Sequence, residues 1–213
     1  LGANESVNIA CIGVGGKGNS DMMETSVGQN IVAICDIDEQ RLAAAGERFP
    51  NAKRYSDWRK LLEQKDIEAV TISTPDHTHA PATYSAISLG KHVYTQKPLT
   101  HDVHESRILT QAAEKAGIVS QMGIQHHSSA RLKIAVQVIR DGAIGEVSEV
   151  HTWTDRPGTF WKQGLSRPES GEQVPNHVHW DLWLGTAPQR PYVNGMYHGC
   201  LLYTSPSPRD AES

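Results

Sequence analysis

The chain contains 213 residues, of which 38% are hydrophobic, and its formal net charge is −4. That length suffices for one α/β domain and part of a second, because single domains typically contain about 100 to 200 residues. The mild acidity gives no electrostatic basis for binding nucleic acid, and no apolar run approaches the roughly 18 residues of a membrane span. The 3 cysteines are too few for a disulfide framework and match no zinc spacing. Composition therefore predicts a globular chain without a nucleic-acid, membrane or metal partner.

Short apolar, β-rich runs alternate with helix-like segments along the first part of the chain. The predicted strands are residues 7–12, 31–35, 69–73, 92–95 and 119–122. The predicted helices are residues 17–26, 38–48, 56–63, 81–89 and 100–116, with Asp38, Ser56 and Thr100 as N-caps, Pro81 in a first turn, and Gly90 and Gly117 after helix ends. Strands that alternate with helices in this way indicate βαβ crossovers. The sequence therefore predicts an α/β fold with a doubly wound, parallel Rossmann sheet.

The pattern changes after Gly123. An amphipathic helix is predicted over residues 130–140, and the alternation of apolar and polar residues predicts an exposed strand over residues 146–155. Little periodicity follows, and only Trp180–Leu184 is predicted as a further helical turn. The adjacent His126 and His127 either face a cleft or pack at a hinge between domains.

Both ends of the chain suggest a fragment of a longer protein. It begins at Leu1 rather than Met, so we expect an upstream segment. Residues 200–210 read as the translation of a transposase adapter used in sequencing-library preparation, and we expect the natural protein to continue past Gly199. The predicted organisation is a Rossmann domain over 1–124, an incomplete α+β second domain over 125–199, and a non-native tail over 200–213.

A glycine-rich segment, G-x-G-x-x-G over residues 13–18, directly follows the first predicted strand and opens a helix. This is where a dinucleotide-binding fingerprint lies. Gly13 permits the tight turn, Gly15 lets the backbone approach a pyrophosphate, and Gly18 permits close packing of helix on strand. With Val14 and Gly16, the turn is predicted to bind the pyrophosphate through backbone N–H groups and the helix dipole.

Asp36 ends the second predicted strand, where the fingerprint expects an acidic residue. A carboxylate there accepts hydrogen bonds from the adenosine ribose diol and repels a 2′-phosphate. Because no arginine stands beside it in the sequence, NAD is favoured over NADP. The competing interpretation is a glycine-rich turn and a surface aspartate that bind nothing.

Ser73, Thr74 and Pro75 follow the strand over residues 69–73, across the point where strand order reverses. We expect these three, together with His77, to contact the cofactor near its middle. His77 and His79 have the spacing of a metal pair but lack a third ligand. The alternative is that both histidines pack at the start of the next helix.

Three motifs follow the predicted strands in order: G-x-G-x-x-G, then S-T-P-x-x-x-H, then Lys97-Pro98 after the strand over 92–95. This order resembles the Gfo/Idh/MocA family, which includes glucose-fructose oxidoreductase and inositol dehydrogenase, over residues 7 to about 155. The resemblance implies that Lys97 is catalytic, near the nicotinamide and the substrate hydroxyl. The family has Glu where this chain has Gln96, which keeps a hydrogen-bonding carbonyl without the charge. We expect Gln96 to contact the cofactor.

The resemblance implies an NAD-dependent oxidoreductase that transfers hydride from a sugar or polyol hydroxyl, and a homo-oligomeric full-length protein. A later D-x-x-x-H helix completes the family's catalytic set, and no such motif precedes Gly199, so we expect the fragment itself to be inactive. Trp180–Tyr192 resembles a segment of a branch that is often exported, so cytoplasmic and periplasmic locations both stay open. Two alternatives remain: an NAD-dependent glycosidase of the same fold, which reduces and reoxidises NAD within each turnover, and an inactive cofactor-binding fragment.

Overall fold

The computed structural model of the chain describes residues 5–125, 127–153, 168 and 170–194, and the fold is given for these residues. The predicted tail over 200–213 and His126 lie outside them. Within the described part of the chain, no helix combines the length and the apolar content that crossing a membrane would require.

Six parallel strands form one sheet in the order β3-β2-β1-β4-β5-β6. The strands are β1 (Asn8–Ile12), β2 (Asn30–Cys35), β3 (Lys53–Tyr55), β4 (Ala69–Ile72), β5 (His92–Gln96) and β6 (Ser120–Gly123). The chain begins in the middle of the sheet, proceeds outward to β3, and returns across β1 to β4. Strand order therefore reverses between β1 and β4, as in a Rossmann fold. The predicted fold class is confirmed.

Seven helices accompany these strands in the described chain. They are α1 (Gly16–Thr25), α2 (Glu39–Arg48), α3 (Trp58–Leu62), α4 (Asp76–Ser88), α5 (Val103–Ala116), α6 (Ala130–Arg140) and α7 (Trp180–Leu184). The predicted N-cap of α2 is confirmed, because the Asp38 side chain accepts hydrogen bonds from the backbone N–H groups of Gln40 and Arg41 at 2.9 and 3.4 Å. The helices predicted over 130–140 and 180–184 are confirmed as α6 and α7.

Two predicted N-caps are wrong by one or two residues. The cap of α3 is Asp57, whose carboxylate accepts the Arg59 N–H at 2.9 Å, and not Ser56. The cap of α5 is Asp102, whose carboxylate accepts the Glu105 N–H at 2.8 Å, while Thr100 instead donates its hydroxyl to the Asp102 carbonyl. In both cases a carboxylate closer to the helix accepts a hydrogen bond from one of its first N–H groups. A charged acceptor is favoured there, because the N-terminal end of the helix dipole is positive.

The predicted start of α4 at Pro81 is also wrong, because the helix begins at Asp76 and Pro81 lies inside it. Pro75 is the N-cap, with φ −60° and an extended ψ of 148°. The acidic side chain of Asp76 lies in the first turn, where the positive end of the helix dipole favours it. Pro81 is the sixth residue of this helix, so it supplies no N–H for the usual helical bond to the His77 carbonyl.

Both faces of the sheet are covered by apolar side chains. On β1, Ala10 and Ile12 belong to one buried cluster, whereas Ile9 and Cys11 belong to another, as the alternation of side chains along a strand requires. Cys11 is fully buried and Cys35 almost so, and these thiols act as small core residues. Burial raises the pKa of Cys11 to about 11.

The strand predicted over residues 146–155 is wrong over the part that is described, since residues 146–153 form no strand. A strand requires a partner to complete its hydrogen bonds, and the described chain offers none to this segment. The described residues up to 123 group with residues 168 and 170–194 into one compact unit, and the described residues between 124 and 153 form another. Helix α7 thus belongs to the unit that contains the sheet, while the domain limits 1–124 and 125–199 stay a prediction.

Candidate functional site

A groove of about 300 Å³ lies at the carboxyl ends of the central strands β1, β2 and β4. Because strand order reverses between β1 and β4, the loops that follow these strands diverge and leave a crevice. The groove is lined by the glycine turn after β1, the end of β2, the segment after β4 and helix α7. The residues predicted for the site that line it are Gly13, Gly15, Gly16, Asp36, Ser73, Thr74 and Pro75.

The glycine turn has no room for side chains at two of its positions. Gly13 has φ +80°, and a Cβ added to it would lie 2.5 Å from the Ser73 carbonyl oxygen. A Cβ on Gly18 would overlap the Gly13 carbonyl oxygen. The Gly13 N–H donates to the Cys35 carbonyl at 2.8 Å, which joins the turn to the end of β2. The predicted reasons for these two glycines, a tight turn and close packing, agree with this geometry.

The start of α1 faces the groove without a side-chain cap. Gly15 is the N-cap, and it and Gly16 line the groove. The first N–H groups of a helix lack partners within the helix, and the dipole makes this end positive, so the arrangement suits an anion such as a diphosphate. Gly15 also allows the Arg41 side chain to lie directly above it, because a Cβ there would be 2.5 Å from Arg41 Cδ.

Arg41 lies in the same groove as Asp36, although the sequence indicated no arginine beside that aspartate. No arginine is adjacent to Asp36 along the chain, but the structure brings Arg41 from α2 to the same groove. Its Nε lies 3.6 Å from Asp38 Oδ2, so part of its charge is balanced there. The groove is therefore lined by a guanidinium, a helix N-terminus and the carboxylate of Asp36.

Asp36 connects the end of β2 to the glycine turn. Its Oδ2 accepts the Val14 N–H at 2.9 Å and its Oδ1 accepts the Asp38 N–H at 3.0 Å. Burial raises the pKa of Asp36, and those two hydrogen bonds and the charge of Arg41 oppose that effect. Each carboxylate oxygen has a second lone pair, so both can still accept a hydrogen bond from a ribose hydroxyl. The Asp36 carboxylate therefore lies directly against the glycine turn.

The segment after β4 offers a polar group without a partner. Thr74 Oγ1 is buried and has no hydrogen-bond partner among the described residues. Such a group costs roughly 1–3 kcal/mol unless a ligand or water satisfies it. Ser73 and Pro75 line the groove beside it. Together with the open glycine turn and Asp36, this hydroxyl makes the groove fit a dinucleotide.

Asp21, which the sequence analysis did not single out, joins three elements beneath the groove. Its Oδ2 accepts hydrogen bonds from Ser73 Oγ at 2.7 Å and from Gln96 Nε2 at 2.9 Å. Its Oδ1 lies 2.7 Å from Lys17 Nζ. Asp21 is only 3% exposed, so these partners are its compensation for burial. Gln96 is thus an amide donor to a buried carboxylate, and it does not line the groove; its cofactor contact stays a prediction.

Lys97 lies at the carboxyl end of β5, beyond the groove lining. Its N–H donates to the Gly123 carbonyl at 3.1 Å, and its side chain is exposed. The end of β5 neighbours that of β4, so Lys97 is at the same edge of the sheet as the groove. The catalytic role of Lys97 stays a prediction. The cofactor contacts of Val14 and Gly18 also stay predictions, because neither residue lines the groove.

His77 and His79 pack within α4. The two ring nitrogens of His79 lie 2.7 and 2.8 Å from the carbonyl oxygens of Pro98 and Thr74. His77 Nε2 lies 2.8 Å from the Trp183 carbonyl oxygen, and its ring packs 5.0 Å from the Trp183 ring. This geometry fits the packing interpretation of both histidines. His77 is buried behind the groove, and its predicted cofactor contact is not part of the lining.

One group of side chains elsewhere has metal-ligand chemistry, but its contacts have a structural use. The ligand atoms of His101, Asp102 and Glu105 lie within 4.8 Å of one another. Asp102 caps α5, and Glu105 Oε2 accepts from His101 Nδ1 at 2.8 Å and from its backbone N–H at 3.4 Å. This is the reciprocal bonding of a helix start.

The burial of His77 leads to a pH-dependent stability. Burial lowers its pKa to about 4 from an ordinary 6.5; the Trp183 carbonyl opposes this, and the nearby charges of His101, Arg190 and His79 add to it. In the unfolded chain His77 therefore binds a proton below about pH 6.5, whereas in the folded chain it binds that proton only below about pH 4. We expect up to about 3 kcal/mol of stability to be lost as the pH falls through this window.

Urea unfolding at pH 7 and pH 4.5, followed by circular dichroism, checks this expectation. His77→Gln is the control, because its amide still donates to the Trp183 carbonyl but does not titrate. The wild-type chain should lose more stability on acidification than the variant. Identical losses in the two proteins would contradict the assignment.

Nine lining residues were not among the predicted site residues: Ile12, Lys17, Cys35, Ile37, Arg41, Trp58, Thr78, Leu182 and Trp183. Thr78 lies three residues after Pro75, about one helical turn, so the sequence could have predicted that it lies on the same side as the S-T-P motif. Leu182 and Trp183 lie in the aromatic run of α7, far along the chain, where no local pattern indicates contact with the groove.

Comparison with known proteins identifies the family of the chain. Residues 7–124, more than half of the chain, match the model of an oxidoreductase family described by an NAD-binding Rossmann fold. Levoglucosan dehydrogenase of Pseudarthrobacter phenanthrenivorans is 32% identical over 137 residues, which are 64% of this chain and 34% of that protein. Inositol 2-dehydrogenase of Arthrobacter sp. is 31% identical over 159 residues, which are 73% of this chain and 47% of that protein.

Among solved structures, the fold is similar to that of myo-inositol 2-dehydrogenase from Lactobacillus plantarum. The TM-score is 0.62 with 22% identity, and the match covers 67% of this chain and 43% of that one. The chain thus spans less than half the length of each of these relatives. With its glycine turn, its Asp36 and the match over residues 7–124, the chain belongs to the Gfo/Idh/MocA family of oxidoreductases and carries that family's NAD-binding Rossmann domain.

Proposed function

We propose that the full-length protein is an NAD-dependent dehydrogenase that oxidises a hydroxyl group of a sugar or polyol. The observation that carries the NAD site is the contact of Asp36 with the glycine turn, 2.9 Å from its Oδ2 to the Val14 nitrogen, beside an uncapped helix start. The substrate class is supported by the relatives, which are named levoglucosan and inositol dehydrogenases.

The residues of the groove divide the dinucleotide between them. The backbone of Gly13 to Gly16 and the start of α1 would bind the pyrophosphate, with Arg41 adding positive charge. Asp36 would accept hydrogen bonds from the adenosine ribose diol. Thr74 and Pro75 would contact the middle of the molecule, where the buried Thr74 hydroxyl has a hydrogen bond to make.

When bound, NAD supplies the acceptor for a hydride, which is chemistry that no side chain provides. The protein positions the hydroxyl carbon and manages the hydroxyl proton. We assign this to Lys97, whose exposed side chain follows β5 at the same edge of the sheet as the groove. As the neutral amine it would accept the hydroxyl proton at Nζ while the hydride leaves the same carbinol for NAD. A homo-oligomeric full-length enzyme remains part of the proposal.

Replacing Asp36 with Ala should raise the dissociation constant for NAD tenfold or more, measured by titration calorimetry on the 213-residue chain. The change removes the charged acceptor for the ribose diol and the support of the Val14 N–H, and charged hydrogen bonds are worth about 1.5–3 kcal/mol. The wild type should bind NADP less tightly than NAD. The ratio of the two dissociation constants should be smaller in Asp36→Ala, because the carboxylate that repels the 2′-phosphate is gone. Because burial raises the pKa of Asp36, wild-type affinity should fall on acidification at a higher pH than for an ordinary aspartate.

Asp102→Ala is the matched control, because it removes an aspartate that also accepts a backbone hydrogen bond but lies outside the groove. It should leave the affinity for NAD unchanged. Failure of the folded wild-type chain to bind NAD would overturn the proposed function. An unchanged affinity in Asp36→Ala would overturn the role of that residue alone.

The full-length protein separates the dehydrogenase from the glycosidase alternative. A dehydrogenase accumulates NADH when supplied with NAD and a sugar or polyol. A glycosidase of this fold releases the aglycone from an aryl glycoside without net NADH. Absence of both activities would favour a cofactor-binding protein without catalysis.

A further inference from the structure

A segment distant in sequence forms one wall of the groove. Residues 177–184, here called the return segment, lie outside the range 7–124 matched by the family model. They include α7, of which Leu182 and Trp183 line the groove. The family match alone therefore does not account for the whole binding surface.

The return segment is anchored on the residues that directly follow Asp36. The Glu39 N–H donates to the His177 carbonyl at 2.8 Å, and the His179 N–H donates to the Ile37 carbonyl at 2.9 Å. Asp38 and Val178 form an antiparallel bridge between these bonds. The return segment thus pairs with the residues that follow β2, directly after the carboxylate of Asp36.

Helix α7 is fixed in place by its own packing. The rings of Trp180 and Trp183 stack at 4.6 Å, and the ring of Tyr192 meets Trp180 edge-on at 5.3 Å. Leu184 is fully buried, and the buried His77 ring bonds the Trp183 carbonyl from α4. The wall is therefore held from two sides before any ligand arrives.

The side chains that this wall presents are apolar. Leu182 is half-buried, lines the groove, and is not part of the aromatic cluster around Trp180. Ile37, between Asp36 and the anchored backbone, lines the groove as well. An apolar surface adjacent to a ribose acceptor suits a flat heterocycle attached to that ribose.

We propose that the return segment forms the adenine-binding wall of the NAD site, with Leu182 and Trp183 contacting the adenine ring. This rests on the proposed function, because it requires that Asp36 bind the adenosine ribose. The anchoring on Ile37 to Glu39 places the wall at the adenosine half of the dinucleotide and away from the nicotinamide half. The affinity for NAD therefore depends on residues beyond the Rossmann sheet.

The test uses the 213-residue chain with Leu182→Asp, and Asp181→Asn as the control on the same helix. Asp181 is exposed and does not line the groove. Titration calorimetry should give at least a tenfold weaker affinity of Leu182→Asp for NAD and for ADP-ribose, because a hydrated carboxylate replaces the apolar contact with the adenine ring. The response to nicotinamide mononucleotide should not change, and Asp181→Asn should match the wild type for every ligand.

The outcomes separate this inference from the proposed function. If the wild type binds NAD and Leu182→Asp binds NAD and ADP-ribose equally well, the inference is overturned and the proposed function stands. If the wild type binds no NAD, both are overturned. If near-ultraviolet circular dichroism shows that Leu182→Asp has lost its folded signal, Leu182→Ala decides, with a threefold or larger loss of ADP-ribose affinity expected and an unchanged affinity counting against the wall.

Discussion

Gly13→Ala should destabilise the chain by about 3–4 kcal/mol, whereas Gly28→Ala should cost only about 1–2 kcal/mol. Both glycines have left-handed backbones, with φ +80° and +72°, and an alanine is strained in that region by roughly 1–2 kcal/mol. Only Gly13 adds a collision, because its Cβ would lie 2.5 Å from the Ser73 carbonyl oxygen, while a Cβ on Gly28 meets nothing within 4 Å. Overpacking against backbone typically adds 1–3 kcal/mol.

Urea unfolding of the two variants measures this difference directly. The Ser73 backbone has little freedom to move away, because its N–H donates to the Ile12 carbonyl at 2.8 Å. Gly28→Ala should also retain the NAD affinity of the wild type, since Gly28 does not line the groove. Equal losses of stability in the two variants would mean that the turn after β1 relaxes away from Ser73.

Gln96→Glu should lower the free energy of unfolding by about 3 kcal/mol, although it replaces only the side-chain NH2 group with an oxygen. The amide of Gln96 donates to Asp21 Oδ2 at 2.9 Å, so a glutamate would set two carboxylates against each other in a buried place. A buried charge that loses its compensation typically costs 3–5 kcal/mol. The same change at the exposed Gln121, on the neighbouring strand β6, should cost less than about 0.5 kcal/mol.

A second substitution identifies the cause of that loss. Asp21→Asn introduced into Gln96→Glu should restore most of the stability, because it removes one of the two facing charges. The coupling energy of the double-mutant cycle, measured by urea unfolding, should then be well above 0.5 kcal/mol. Additive effects would show that the two side chains do not interact.

The parts of the fold that depend on local chemistry were predictable. Buried strands such as β1 and β4 carry apolar, β-branched runs, and Asp38 has the chemistry of an N-cap next to a helical pattern. In contrast, β3 (Lys53–Tyr55) has no residue that is fully buried and no apolar alternation, so only its neighbour β2 specifies it. The strand expected over 146–155 had the right alternation, but a pattern of that kind does not supply a partner.

The site divides in the same way. Gly13, Asp36 and Thr74 each follow a central strand, so the topology of a parallel sheet brings them to one edge, and the sequence sufficed to predict their meeting. Arg41 depends on the direction of α2, and Asp21 depends on the packing of α1 against the ends of β4 and β5. Leu182 reaches the groove through backbone bonds to residues 37–39, more than a hundred positions away, and no local signal reports such a contact.

The bonds from Val14 and Asp38 to Asp36, and from Gly13 to Cys35, are made by the protein to itself. The shape of the ribose end is therefore set during folding, and an incoming dinucleotide has little loop entropy left to remove. Association at this end should proceed as a nearly rigid docking event, and occupancy should raise the melting temperature by mass action without a detectable change in secondary structure.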